Sequence, residues 1–345
     1  LWSAHGGQEY GTALADVLTG DANPSGRLTQ TWYRSAADLP DLFDYDIIAS
    51  DATYQYFRGT PLFAFGHGLS YTTFEYENLR LSAGSVDASG EVRVAVDVVN
   101  TGARPGAEVV QVYTRQCRSR VKQPLRRLRA FRRVDLAPGE RRTVELTVRA
   151  ADLAIWDVTR GRFHVERSEH LVLVGGSAAD VRLCAPLDVR GTDIPPRDPA
   201  RRIEATDHDD YAGVLLVDAS LVAGDAVAAT EPGGWIAFHD MDLPAAAAPS
   251  TGAPATAAPS TAAPATASLT VARVPAGPVV LTLRLDDPLG GPVIGTARAS
   301  CAGGPYDWIT VVTPLAPVTG RRDLYVVFDE PGVRLRSLSF DAADR

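Results

Sequence analysis

Val92-Arg93-Val94-Ala95-Val96-Asp97-Val98 places valine at every second position. Successive side chains on a strand point to opposite faces, so this run buries its valines and exposes what lies between them. Val109 to Tyr113, Thr143-Val144-Glu145-Leu146-Thr147-Val148 and Leu171-Val172-Leu173-Val174 repeat the strand pattern. Asn100-Thr101-Gly102, Ala137-Pro138-Gly139-Glu140 and Gly175-Gly176-Ser177 supply turn chemistry between the runs. Short strands at this spacing predict a β-sandwich over residues 77–190. Trp156 is expected in its core, where a large ring between two sheets buries most area.

Upstream, residues 1–76 read as α/β. Glu9 to Leu18 has helical apolar spacing, Asp21 to Gly26 is a turn carrying Asn-Pro and Ser-Gly, and Leu28 to Trp32 alternates like a strand. One helix and a strand or two make a poor independent core, so this segment reads as the remnant of a larger domain. Downstream, residues 191–200 are expected as a linker stiffened by Pro195, Pro196 and Pro199. Strand-like runs at Gly234–Phe238, Val279–Leu285, Ile309–Val312, Leu324–Phe328 and Arg334–Phe340 predict a second β-sandwich over residues 201–345. Residues 244–268 are low-complexity Ala, Pro, Thr and Ser, read as an expanded loop inside that domain. The fold class is thus mainly β: an α/β remnant followed by two β-sandwiches.

The 345-residue chain has a formal net charge of −8, which gives little reason to expect a nucleic-acid partner. No apolar run approaches the roughly 20 residues that span a bilayer, so no membrane partner is expected. The first residue is Leu and the only methionine is Met241, so the chain reads as a fragment whose compartment is not legible. Nine basic residues and no acidic one lie between Arg115 and Arg133, read as a solvated hairpin edge. The three cysteines, Cys117, Cys184 and Cys301, are too far apart for a zinc or redox motif.

Two stretches resemble the end of the α/β sandwich domain of family 3 glycoside hydrolases, the group of β-glucosidases and β-xylosidases. They are Gly11 to Leu28 and Pro61-Leu62-Phe63-Ala64-Phe65-Gly66-His67-Gly68-Leu69-Ser70-Tyr71-Thr72-Thr73-Phe74. Val99-Asn100-Thr101-Gly102, Gly106 to Tyr113, Leu136 to Glu140 and Asp152 to Asp157 resemble the fibronectin type III-like domain that follows in many of these enzymes. Ile203-Glu204-Ala205, Gly234 to Phe238, Gly303-Gly304 with Trp308, and Asp323 to Phe328 resemble family 6 carbohydrate-binding modules.

Retaining glycoside hydrolysis requires two carboxyl groups about 5–5.5 Å apart. The resemblance implies that both lie upstream, the nucleophile on a missing N-terminal barrel, so no catalytic residue is expected here. Asp38, Asp41, Asp44, Asp46, Glu9, Asp16 and Asp21 are read as turn and helix caps instead. Phe63, Phe65, His67 and Tyr71 are expected to dock the α/β segment on the following sandwich.

The resemblance also implies partners and ligands. The intact enzyme would act on β-glucoside or β-xyloside oligosaccharides. Trp308, Tyr306 and Trp235 are the aromatic candidates for sugar binding in the third domain. The Tyr and Asn that the module family uses nearby correspond here to Ala229 and Arg336. No catalytic cofactor is expected; a structural calcium is implied, with Glu204 and Asp341 as candidate ligands.

Overall fold

A computed structural model describes residues 1–3, 5–222, 224–243 and 264–342. The chain divides into two compact units, one of residues 1–157 and 161–193, the other of residues 158–160 and 194–345.

In the first unit, α1 (Tyr10–Thr19) matches the helix expected from the sequence, and α2 (Thr53–Tyr56) is a single turn. Ten strands follow: β1 (Phe74–Leu81), β2 (Ser85–Asp87), β3 (Glu91–Asn100), β4 (Gly106–Gln116), β5 (Arg127–Leu136), β6 (Arg141–Arg149), β7 (Ile155–Asp157), β8 (Arg162–His164), β9 (Ser168–Gly175) and β10 (Val181–Arg190). A three-stranded sheet β1-β3-β6 faces a five-stranded sheet β2-β10-β9-β4-β5. Val92, Val94, Val96 and Val98 are fully buried between them with Val110, Val112, Val172 and Val174. β-Branched side chains pack well on a pleated surface, which is why so valine-rich a core forms strands.

Asn100 closes the end of β3. Its amide donates to the carbonyls of Arg104 (2.8 Å) and Leu136 (3.1 Å), and its oxygen accepts from Thr72 Oγ1 (2.6 Å) and Gly102 N (3.1 Å). Every polar atom of this fully buried side chain is thereby satisfied, as burial demands.

Two expectations for this unit are corrected. Leu28 to Trp32 forms no strand; only isolated pairings hold it, Trp32 with Phe63 and Leu28 with Gly66 and His67. Trp156 is 49% exposed, because it stands on the separate β7–β8 hairpin opposite Phe163. Leu153 and Val165 fill the neighbouring core instead.

The second unit contains β11 (Ile203–Glu204), β12 (Asp210–Ala212), β13 (Val214–Asp218), β14 (Asp225–Ala229), β15 (Gly234–Leu243), β16 (Pro264–Arg273), β17 (Gly277–Leu285), β18 (Val293–Cys301), β19 (Ile309–Pro314), β20 (Gly320–Phe328) and β21 (Val333–Ala342). One sheet runs β13-β14-β21-β16-β19 with β11 also on β21; the other runs β12-β15-β20-β17-β18. Ile236, Phe238, Leu281, Leu283, Leu324, Val326 and Phe328 supply the core from the second sheet, and Leu269, Val271, Leu335 and Leu338 from the first. Of the expected low-complexity stretch, residues 264–268 begin β16, and 244–263 lie outside the described residues.

The expected linker is partly built into this unit. Arg197 is 5% exposed and bonds Asp209 through Nε (3.1 Å) and Nη2 (3.0 Å). Its backbone bridges to Met241, and its guanidinium lies 5.3 Å from the Phe238 ring centroid.

Candidate functional site

The loop from Pro61 to Phe74 is held against the first sandwich by polar side chains on β4. Gln111, 3% exposed, donates to the Gly66 carbonyl (3.2 Å) and to the Gly176 carbonyl (2.5 Å), while Tyr113 donates to its oxygen (2.5 Å). Phe65 stacks on Tyr54 with centroids 4.1 Å apart, and its carbonyl accepts from Ala178 N. Arg27 and Glu108 form a buried ion pair at 2.6 Å. Phe63 stacks on His67 at 5.1 Å. Tyr71 donates its hydroxyl to the Val17 carbonyl (2.6 Å) and its amide to Asn23 (2.8 Å). Phe63, Phe65, His67 and Tyr71 thus lie in one loop, with Phe65 facing the sandwich and Tyr71 facing α1. Glu108 and Gln111 were not among the expected site residues. Their signal is two polar side chains inside the otherwise apolar strand Ala107 to Tyr113.

The acidic residues of the first segment are engaged locally. Asp41, Asp44 and Asp46 accept backbone N–H groups of Phe43, Asp46, Ile48 and Ala49 at 2.8–3.0 Å. Asp38 completes a capping box with Ser35, and Asp21 accepts from Thr19 (2.6 Å). A short polar side chain that closes its own turn is the ordinary use of aspartate in a loop.

In the second unit the three sugar candidates fall in two places. Trp235 projects from the outward face of the β12-β15-β20-β17-β18 sheet, since its neighbours Gly234 and Ile236 are buried and Ile236 enters the core. There it meets Tyr325 edge-on at 5.3 Å. Cross-strand register sets Ala212 and Val327 beside Trp235, and Ala237 and Arg284 beside Tyr325, with Thr282 and Thr296 farther along the row of Trp235 and Asp210 beyond Ala237. Both rings are half-buried. Burial, then the carboxylates of Asp323 and Asp210, raise the Tyr325 phenol above its ordinary range. It stays a neutral donor at the edge of the indole.

Tyr306 and Trp308 sit in the β18–β19 loop. The indole of Trp308 donates to the Ala219 carbonyl (2.8 Å), and Arg334 donates to the Pro305 carbonyl (3.1 Å), so the loop is pinned across the other sheet. Ala229 is 4% exposed in the core and offers no wall to a ligand; Arg336 is half-buried on β21.

The calcium candidates do not meet. Glu204 is opposite Ser337 on β21 and pairs with Arg202 at 2.9 Å. Asp341 lies four residues beyond Ser337, about 13 Å along the strand, and accepts from Ser268 (3.2 Å). Among the described residues no group of three or more His, Cys, Asp or Glu is placed to hold a metal ion. Glu204 and Asp341 are therefore not placed to share one calcium ion.

The structure thus combines an aromatic pair on one sheet of the second unit with an α/β segment bonded to the sandwich of the first. Residues 1–71 match the Glycosyl hydrolase family 3 C-terminal domain, residues 108–178 the Fibronectin type III-like domain, and residues 204–342 the Carbohydrate binding module (family 6). A Beta-glucosidase of Rhizobium radiobacter is 40% identical over 191 residues, covering 51% of this chain and 23% of the relative. Thermostable beta-glucosidase B of Acetivibrio thermocellus is 36% identical over 200 residues, 54% of this chain and 26% of the relative. Xylan 1,4-beta-xylosidase of Xylanibacter ruminicola is 39% identical over 174 residues, 50% and 20%. The family 3 match is carried by residues 1–71, at the start of the chain. The chain spans about a quarter of the length of the curated relatives it matches.

Proposed function

We propose that this chain is the C-terminal part of a retaining glycoside hydrolase that removes terminal β-linked sugars, of β-glucosidase type, with β-xylosidase as the second reading. The observation that carries this is α1, a helix within the family-matched segment that buries none of its side chains. Its apolar residues Leu14, Val17 and Leu18 need a sheet to cover them. A preceding α/β domain joined to a catalytic barrel would supply it. The two relatives named β-glucosidase support the first reading, and the one named xylosidase supports the second.

In this reading the chain itself breaks no glycosidic bond. The loop from Pro61 to Phe74 docks the α/β domain on the sandwich, and the Trp235–Tyr325 face holds the sugar chain near the enzyme. The test is an assay on aryl β-glucoside and aryl β-xyloside. The chain alone should give no turnover, and the protein encoded with its upstream domains should hydrolyse one of the two. Turnover by the chain alone would overturn the assignment of catalysis to an upstream domain.

A further inference from the structure

Two aromatic rings of the first unit stand in water on a hairpin outside the sandwich core. Trp156 on β7 is 49% exposed and Phe163 on β8 is 68% exposed. Register sets them directly opposite each other. They meet edge-to-face, with centroids 5.1 Å apart and planes at 74°. Successive residues of a strand alternate between faces. Ile155, Asp157 and His164 therefore lie on the other face of the ribbon, where they are half-buried or buried. Leu153 before the hairpin and Val165 after it are fixed in the sandwich core. The pair is thus presented outward on a ribbon tied down at both ends.

Size and chemistry select the occupant. Between residues 149 and 167 no other large apolar side chain is exposed. An aromatic side chain carries about 150–250 Å² of surface, so the two rings leave roughly 200–300 Å² uncovered. A stable protein partner covers about 800 Å² on each side, so the pair is too small for one. It is the size of a short stretch of sugar chain. Equatorially linked β-sugars present flat faces of C–H groups, with hydroxyls around the rim, which suits an aromatic face edged by a donor. The indole N–H of Trp156 bonds no described acceptor, whereas that of Trp308 is spent on Ala219. The same device recurs in the second unit, among residues that match the Carbohydrate binding module (family 6). There Trp235 and Tyr325 meet edge-on at 5.3 Å and 68°.

We infer that Trp156 and Phe163 form a second glycan platform, which takes a neutral β-linked polysaccharide by stacking against its sugar rings. The inference rests on the reading of Trp235–Tyr325 as a sugar-binding face. It gives the first unit a binding role beyond docking the α/β segment. Stacking on two uncharged rings needs no counter-charge on the polymer, so binding is insensitive to screening by salt.

Affinity electrophoresis of the whole chain through native gels containing soluble mixed-linkage β-glucan or arabinoxylan tests this. The parent should be retarded. Trp235→Ala, which removes the other aromatic face, should stay retarded, equally at about 20 and 200 mM NaCl. Adding Trp156→Ala should cut the remaining retardation several-fold, adding Phe163→Ala should weaken it, and adding Trp156→Tyr should preserve most of it. The thermal midpoint of Trp156→Ala should stay within a few degrees of the parent, because about half of the side chain is already in water. Where it does not, Trp156→Tyr and Phe163→Ala decide. Retardation that vanishes with Trp235→Ala alone would overturn the hairpin platform and leave the Trp235–Tyr325 reading standing. A parent that is never retarded would sink both. Equal retardation in a gel of α-linked dextran would overturn the β-linked ligand. The same losses are expected in the protein that carries its upstream domains. No loss there would make the pair a contact between domains and overturn the platform.

Discussion

Gln111 occupies the space that a side chain at position 66 would need. A Cβ on Gly66 would lie 2.2 Å from Gln111 Oε1, and the Gly66 backbone already stands at φ +81°. Glycine is required there twice, by left-handed backbone and by close approach. Gly66→Ala should therefore destabilise the first unit by about 1–3 kcal/mol from backbone strain alone, with further loss as the Gln111 bonds give way. Thermal unfolding would show it, and a midpoint within a degree of the parent would mean that the loop is not held as described.

The Arg197–Asp209 pair makes a second prediction, for the other unit. The side chains are only 5% and 2% exposed, and Asp209 also accepts from His239 N at 2.8 Å. Removing one member of a buried pair strands the other charge, at a cost of about 3–5 kcal/mol; replacing both by apolar residues is often neutral. Arg197→Met should lower the urea midpoint of the second unit sharply, and adding Asp209→Leu should restore most of it. If the double variant is no better than the single, the pair is not the source of the loss.

The strands that carry alternating valines were legible because period-two burial needs no tertiary information. The short strands β12, β13 and β14 escaped notice: β14 reads Asp-Ala-Val-Ala-Ala, with too little contrast between its faces. Trp156 misled because a hairpin outside the sandwich uses the same residue types as a core strand. The family motifs were legible, but their purpose was not. Asn100, Glu108 and Gln111 look like polar interruptions until the backbone groups that they satisfy are in place. Trp235 and Trp308 seem equivalent in sequence, and only register shows that one faces outward from a sheet and the other pins a loop. Arg197 was hidden among prolines, which suggest a linker whatever side chain sits between them.

His170 gives a pH dependence whose sign follows from its surroundings. It is 3% exposed, and burial, then the Arg129 guanidinium, lower its pKa to about 4. The unfolded chain takes up the proton near the ordinary value of about 6.5. Between those values the unfolded state binds more protons, so stability rises with pH across the window and is lost on acidification through it. His170→Gln should flatten that slope. Thermal midpoints of both proteins at about pH 7 and pH 4.5 would check this, and parallel declines would contradict the assignment.

Trp235 and Trp308 should separate binding from stability. Trp235 is half-buried on an open face with Tyr325 at its edge, the arrangement that presents a ring to the flat side of a sugar. Trp308 spends its indole N–H on Ala219 and holds the β18–β19 loop. In calorimetry with cello- and xylo-oligosaccharides, Trp235→Ala should weaken binding about tenfold or more, a loss of at least about 1.4 kcal/mol. Trp308→Ala should leave the affinity within a few-fold and instead lower the thermal midpoint, since it leaves the Ala219 carbonyl without its donor. The reverse pattern would move the sugar site to the loop. An unaltered parent that gives no heat at millimolar ligand would show that neither aromatic serves binding.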